Sequence, residues 1–477
     1  MATDCIPQLR FKFDQLVVAK FDAAHASSDG GAVLLKAVDR QLGVTETVAR
    51  CLRDRRQPGK VQHEGLELVR QRIFGLVCGY ADCNDAARLA HDPVQKLLLD
   101  RDPLAGPALA SQATLSRFEN GVGALTLARL GHALADLVIA QHRARRQGRA
   151  RRITIDLDPT DDPTHGQQEF TFFNGHYDTW CYLPLLGFLT FDDEAEQYLV
   201  CALLRPGNSP AKCGALTRLG YLFAKLRAAF PGVRLRVRLD GGFAGPDVLG
   251  FLEAAGVEYV VALGRNRRLD KRAQRLMGKA RMQAKATGET AHLFGETRYA
   301  AASWKRKRRV ILKAEVVCHP GRTPKNNPRF VVTNLPHTPA HVYALYCARG
   351  DVENRIKELK AGVALDRLSC SRFLAVPRQS IPAPADAGRL HPRASPTAPR
   401  HRHGVCDRPS HDAARTAPQG RGLDRTLGAA HCAAFPYVIP VAADLAAAGL
   451  RRRRHLLTRP PASPPPHHGT RVDGAPR

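Results

Sequence analysis

Ile153-Thr-Ile-Asp-Leu-Asp158-Pro-Thr160 reads as a short apolar strand that ends in carboxylates. The rhythm it opens continues to Leu263. Tyr182 to Phe191 and Tyr198 to Leu204 read as two further strands, and Leu216 to Phe230 as an amphipathic helix. Val233 to Leu239 follows as a strand running into Asp240, then Pro246 to Ala255 as a helix and Tyr259 to Leu263 as a strand. Strands alternating with helices specify an α/β sheet. Ligands of such sheets sit beyond the carboxyl ends of the strands, which is where Asp158 and Asp240 fall. Residues two apart on a strand face the same side, so Asp156 competes with Asp158 for any site there. Asp161 and Asp162 read as loop acids.

Upstream, apolar residues recur at helical spacing, as in Leu66, Val69, Ile73 and Leu76, and again in Leu127, Leu130 and Leu134. Residues 1–150 are therefore expected to form an all-helical region. Within it, Ser111 is placed to cap a short helix that presents Gln112, Thr114, Ser116 and Arg117, either to a DNA groove or simply as a bundle helix. A basic linker, Arg143 to Arg152, leads into the first part of the sheet domain, residues 151–263. Residues 264–340 are less regular, with basic clusters such as Arg265, Arg267, Arg268, Lys271 and Arg272 and strands near Arg309 to Val317 and Phe330 to Val332. They are expected to be a β-rich basic insertion. The run Lys305, Arg306, Lys307, Arg308 and Arg309 beside Trp304 fits a phosphate contact, or a solvated edge strand in which lysines prevent aggregation.

The chain has 477 residues and a formal net charge of +28. A charge of that size implies a polyanionic partner, nucleic acid before an anionic membrane. No apolar run approaches the roughly 20 residues of a membrane span and no signal peptide is evident, so a cytoplasmic, nucleoid-associated protein is expected. The twelve cysteines form no C-x-x-C pair, which argues against a zinc ribbon or disulfide framework, and most are expected to be small buried residues. His401, His403 and Cys406 sit in no recognisable folded frame.

The last expected element, a helix over 341–363 within residues 341–375, holds Tyr346, Arg349, Glu353 and Lys360 at spacings of three, four and seven. At about 100° per residue these four side chains share an arc of roughly 60°. Leu345, Val352, Ile356, Leu359 and Val363 form an apolar stripe whose centre lies about 80° away by the same arithmetic. The polar row thus runs along the edge of the buried face, which favours the wall of a polar cleft over the shoulder of an ordinary helix.

This pattern resembles the DDE transposases of the cut-and-paste insertion-sequence type, whose Y-x2-R-x3-E-x6-K signature is matched at every step by Tyr346, Arg349, Glu353 and Lys360. Their first aspartate stands in an Asp-x-Thr context, here Asp158-Pro-Thr160. Their second precedes Gly or Ser and an aromatic residue, here Asp240-Gly-Gly-Phe243. The resemblance runs from about residue 10 to 375 and includes Gly79-Tyr-Ala-Asp-Cys-Asn-Asp-Ala86 and His91-Asp-Pro93. It implies a helical DNA-binding region followed by an RNase H-like catalytic domain with a β-rich insertion. It also implies Asp158, Asp240 and Glu353 as metal-binding catalytic carboxylates for Mg²⁺, with Mn²⁺ as a substitute. Arg349 and Lys360 would hold phosphates and Tyr346 would position a nucleotide. Double-stranded DNA, bound by a homodimer, would be the partner. In-line displacement at phosphorus by two hard cations needs oxygen ligands of this kind. The competing readings are a DNA-binding regulator with structural acids and a stand-alone nuclease of the same fold.

From residue 376 the composition changes. Residues 376–477 hold sixteen of the 33 prolines, sixteen arginines, six aspartates, and neither lysine nor glutamate. The family continues at this point into amphipathic helices. The bias here is that of a GC-rich gene read out of frame, and a natural Pro/Arg-rich disordered tail is the alternative.

Overall fold

The computed structural model describes residues 8–12, 16–20, 25–54 and 56–367; the segment 376–477 and its His401, His403 and Cys406 lie outside them. The N-terminal region is not wholly helical as expected, because it opens with an antiparallel hairpin of β1 (Gln8–Lys12) and β2 (Leu16–Lys20). Seven helices follow: α1 (Val33–Leu42), α2 (Val44–Cys51), α3 (Gly65–Val77), α4 (Ala86–Leu89), α5 (Pro93–Leu98), α6 (Gln112–Asn120) and α7 (Ala124–Arg145). Local chemistry sets their ends. Gly43 adopts φ 66° between α1 and α2, a left-handed conformation that glycine takes without strain. Glu64 and Glu67 form a reciprocal capping box at the start of α3. Asp92 accepts from the Gln95 amide at 2.9 Å, ahead of Pro93 in the first turn of α5. Buried Arg72 and Glu119 pair at 2.5 Å and tie α3 to α6. The apolar side of α7 joins the core of the sheet, and His142 near its end stacks on Phe191 at 4.1 Å.

The strands are β3 (Arg152–Pro159), β4 (Asp162–Pro163), β5 (Phe172–Asn174), β6 (Thr179–Tyr182), β7 (Leu185–Phe191) and β8 (Tyr198–Leu203). After α8 (Ala215–Ala229) comes β9 (Arg234–Leu239), and after α9 (Pro246–Ala254) comes β10 (Glu258–Leu263). The central order is β8-β7-β3-β9-β10, in which β3, β9 and β10 are parallel and β7 and β8 antiparallel. This mixed sheet is consistent with the RNase H-like catalytic domain that the resemblance implies. β4, β6 and β5 form a small separate sheet between β3 and β7 in the chain.

Residues 264–340 depart from the β-rich insertion expected. They begin with a 21-residue helix, α10 (Arg267–Thr287), whose buried side is Leu269, Ala273, Met277, Ala280 and Ala284. The strands that follow are β11 (Ala291–Tyr299), β12 (Arg308–Val317), β13 (Lys325–Asn326) and β14 (Arg329–Thr333). They form no layer of their own. β14 pairs antiparallel with β10, β12 with β14 and β11 with β12, with β13 on β12, so the main sheet reaches nine strands among the described residues.

The single helix expected over 341–363 is two, α11 (Pro339–Cys347) and α12 (Gly350–Val363). The backbone tightens between them, with the Arg349 amide donating to Tyr346 O and Val352 to Arg349 O. Of the described cysteines, all free thiols, only Cys181 and Cys201 are buried, so the expectation that most are buried is corrected.

Candidate active site

β3 and β9 run parallel in a register that pairs Asp156 with Arg238 and Leu157 with Leu239. One further step brings Asp158 level with Asp240, on neighbouring strands that lie about 4.8 Å apart. Asp158 is buried, at 8% exposure. Asp240 caps a short turn at Gly241–Phe243 by accepting from the Gly242 amide at 3.0 Å. Gly242 is obligatory, since a Cβ there would stand 2.7 Å from Ala211 Cβ. Burial pushes the Asp158 carboxyl up to about 6; Arg349 opposes the shift and Asp240 and Glu353 add to it. Burial also raises Asp240, against the pull of Arg349, the Gly242 amide, His176 and Arg205.

Arg349 stands at the junction of α11 and α12. Its Nη1 lies 2.9 Å from Asp158 Oδ2, outside hydrogen-bonding geometry but within ion-pair reach, and its Nη2 lies 3.8 Å from Glu353 Oε1. The guanidinium also sits 5.9 Å from the centroid of the Tyr346 ring. Glu353, in the first turn of α12, leaves 60% of its side chain to solvent. Lys360 Nζ donates to Asp161 O at 2.7 Å and to its carboxylate at 3.1 Å. Asp161 therefore anchors the loop after β3 to α12. Asp158 and Asp240 are thus neighbours, and Glu353 reaches them through Arg349. Among the described residues no three carboxylate, histidine or cysteine groups converge as a ready-made metal cage. The oxygen-only donor set, two of its members desolvated with raised pKa, nevertheless suits a hard cation.

The two acids that strand alternation leaves equivalent have different surroundings. Asp156 is fully buried and both its oxygens are engaged by the Arg238 fork, at 2.7 and 2.6 Å. Arg238 donates in addition to Leu345 O at 3.3 Å, which joins β9 to α11. Three further residues border the site. Tyr177 donates from its hydroxyl to Pro159 O at 3.2 Å, and burial, with Asp158, Asp161 and Asp240 nearby, raises its pKa to about 12. His176 faces Asp240, and buried Arg205 donates to four backbone carbonyls, from Leu183, Pro210, Ala211 and Cys213. Arginine at an inward strand position was a readable sign for Arg238; a tyrosine and a histidine in a loop between short strands gave none.

The basic run divides. Arg308 is buried at 7% exposure, with Nε 2.8 Å from Glu253 and its guanidinium 5.1 Å from the Trp304 ring centroid. Arg306 also pairs with Glu253, and Arg309 with Glu296 and the carbonyls of Leu335 and His337. The reading of the whole run as phosphate contacts is corrected for Arg308, because its guanidinium is enclosed. Lys305 and Lys307 are exposed. In α6, Gln112 and Arg117 are exposed and Thr114 and Ser116 half-buried; the Ser111 hydroxyl meets Thr114 Oγ1 at 3.2 Å instead of capping a backbone amide. Beside the carboxylates, a cavity of about 500 Å³ is lined by Gly241, Arg265, Arg329, Tyr343 and Tyr346 among others.

The model of the family described as transposase DDE domain group 1 matches residues 9–376. No curated protein matches the chain.

Proposed function

The chain belongs to the transposase DDE domain family, group 1, and on that premise we propose that it cuts and joins DNA with Mg²⁺ at Asp158, Asp240 and Glu353. The observation that carries this reading is a pair of carboxyl groups, Asp158 buried and Asp240 half-buried, at the ends of adjacent parallel strands, faced by a helix that bears a third. The chemistry supplied by divalent cations in such a site is activation of an attacking oxygen and neutralisation of a leaving one.

The chain's own groups prepare for it. Asp158 and Asp240 present desolvated oxygens, and the Arg349 guanidinium offsets their negative charge. The Asp156–Arg238 pair fixes β3 against β9 and holds the start of the Arg349 junction through Leu345 O. Tyr346, Arg349 and Lys360 face the DNA near the carboxylates. Lys305 and Lys307 add phosphate contacts, and the helical region 1–150 supplies end recognition in a homodimer on DNA.

Incubating the protein with an end-bearing duplex and Mg²⁺, with nicked, hairpin and joined products resolved on a denaturing gel, tests the reading. Asp158→Asn, Asp240→Asn and Glu353→Gln should each abolish products while DNA binding persists. Normal cleavage by the Glu353 variant overturns the three-carboxylate assignment, and normal cleavage by the Asp158 variant moves it to Asp156. Cleavage without joining identifies a stand-alone nuclease; binding with no divalent dependence of any activity identifies a regulator.

A further inference from the structure

α10 carries eight basic side chains and a single acid, Asp270, which Arg265 holds at 2.9 Å. All eight are exposed. Arg268, Lys271, Arg275 and Lys279 fall within an arc of about 80°, centred roughly 160° from the buried stripe. They form a positive ridge on the side away from β11 and β12. On an ordinary surface helix, lysines alternate with glutamates so that positions four apart attract. Here Lys271, Arg275 and Lys279 are successive i,i+4 neighbours of like charge, an arrangement that weakens the isolated helix. A polyanion on this face would turn that repulsion into attraction.

The ridge starts near the carboxylates. α10 begins four residues after β10 ends, and β10 lies parallel to β9, so its first turn is at the same edge of the sheet as Asp240. The cavity lined by Gly241, Arg265 and Tyr346 lies between the two. The helix then extends for about 30 Å, the length of roughly 9 phosphate steps along one DNA strand. The other side of α10 is buried in the protein, so no apolar face remains to enter a membrane as an interfacial helix requires.

We propose that the solvent face of α10 is a phosphate track for duplex DNA leaving the carboxylate site. This rests on the DNA-cutting function proposed above, and it assigns to that substrate a second surface that reads position and not sequence.

The test uses the full chain with Arg268→Ala, Lys271→Ala, Arg275→Ala and Lys279→Ala combined. Binding to an end-bearing duplex is measured by fluorescence anisotropy over a range of salt. The log-log slope should shrink by about 3.6, four contacts at roughly 0.9 each. Trimming about 9 base pairs from one side of the cleavage point should abolish the difference between variant and parent. An unchanged slope overturns the track, as does a difference that survives trimming of each side in turn, or a loss of binding to anionic vesicles with the DNA slope intact. If the combined variant fails to fold, Lys271→Glu and Arg275→Glu, compared with Gln274→Glu off the ridge, must each weaken binding at least tenfold more than the control for the track to stand. The two readings fail separately. DNA binding with the expected slope change but no metal-dependent cleavage keeps the track and removes the nuclease, whereas cleavage with an unchanged slope does the reverse.

Discussion

Asp158 and Asp156 sit two residues apart on one strand, and opposite signs are expected when each is changed. With its pKa raised from 3.8 to about 6, Asp158 binds a proton more tightly in the folded chain than in the unfolded one. Folding stability therefore falls as pH rises between those values, and above the upper one the buried charge opposes folding by about 3 kcal/mol. Asp158→Asn should raise the unfolding temperature in EDTA at pH 8, and the gain should vanish as pH falls toward 4. Calorimetry at several pH values checks this, and no gain at pH 8 would contradict the burial argument. Burial raises the Asp156 carboxyl too, against the pull of Arg238 and Arg349, but the effect of removing it is the reverse, because its carboxylate neutralises the buried guanidinium of Arg238. Asp156→Leu should cost about 3 to 5 kcal/mol by leaving Arg238 buried and unpaired, and adding Arg238→Met should recover most of it. Equal losses in the single and double variants would show that the pair's charge is not what matters. The alternation of the strand made both acids visible in the sequence; which one is locked in a buried two-point fork depends on an arginine 82 residues away, a contact that no local pattern encodes.

The element that holds the first acid in place is built around a glycine. Gly187 in β7 lies opposite Leu157, and a Cβ there would come 2.7 Å from Leu157 Cδ2 and 2.9 Å from Cys201 Cβ. Gly187→Ala should therefore strain β3 from one side and destabilise the sheet by about 1 to 3 kcal/mol, measurable as a lower denaturant midpoint. A neutral result would mean that β7 and β8 can separate without loss. Elements with clean periodicity were legible: β3, β7 to β10, α8 and α9 all follow their apolar patterns, because burial on a sheet or helix writes a period of 2 or 3.6 into the chain. α10 was not, since its core side consists largely of alanines and is outnumbered by arginine and lysine, so the apolar stripe that would mark it is faint. The break at Arg349 was missed for another reason. The four polar residues keep helical register across one tightened turn, and the spacing alone cannot distinguish a continuous helix from two. The pairing of β14 with β10 joins segments some seventy residues apart and has no local signature.

For the whole molecule, the decisive question concerns the segment beyond the catalytic core. The family match ends at residue 376, and neither lysine nor glutamate occurs after Lys360. Similarity to the family and amino-acid composition thus change together. A segment selected to pack as helices would use lysine and glutamate freely and would avoid proline, which costs about 3 kcal/mol in a helix interior. Sixteen prolines in residues 376–477 do not suit that task. A tail selected for DNA affinity would have a net charge of this kind, sixteen arginines against six aspartates giving +10, but it would not explain the total loss of lysine. We therefore infer a frameshift in the gene near codon 376. Restoring the reading frame should raise transposition sharply over the unrepaired gene. The frameshift is ruled out if the unrepaired gene transposes as well as the repaired one; a repaired gene that stays inactive with Asp158, Asp240 and Glu353 intact would instead place the defect within the core.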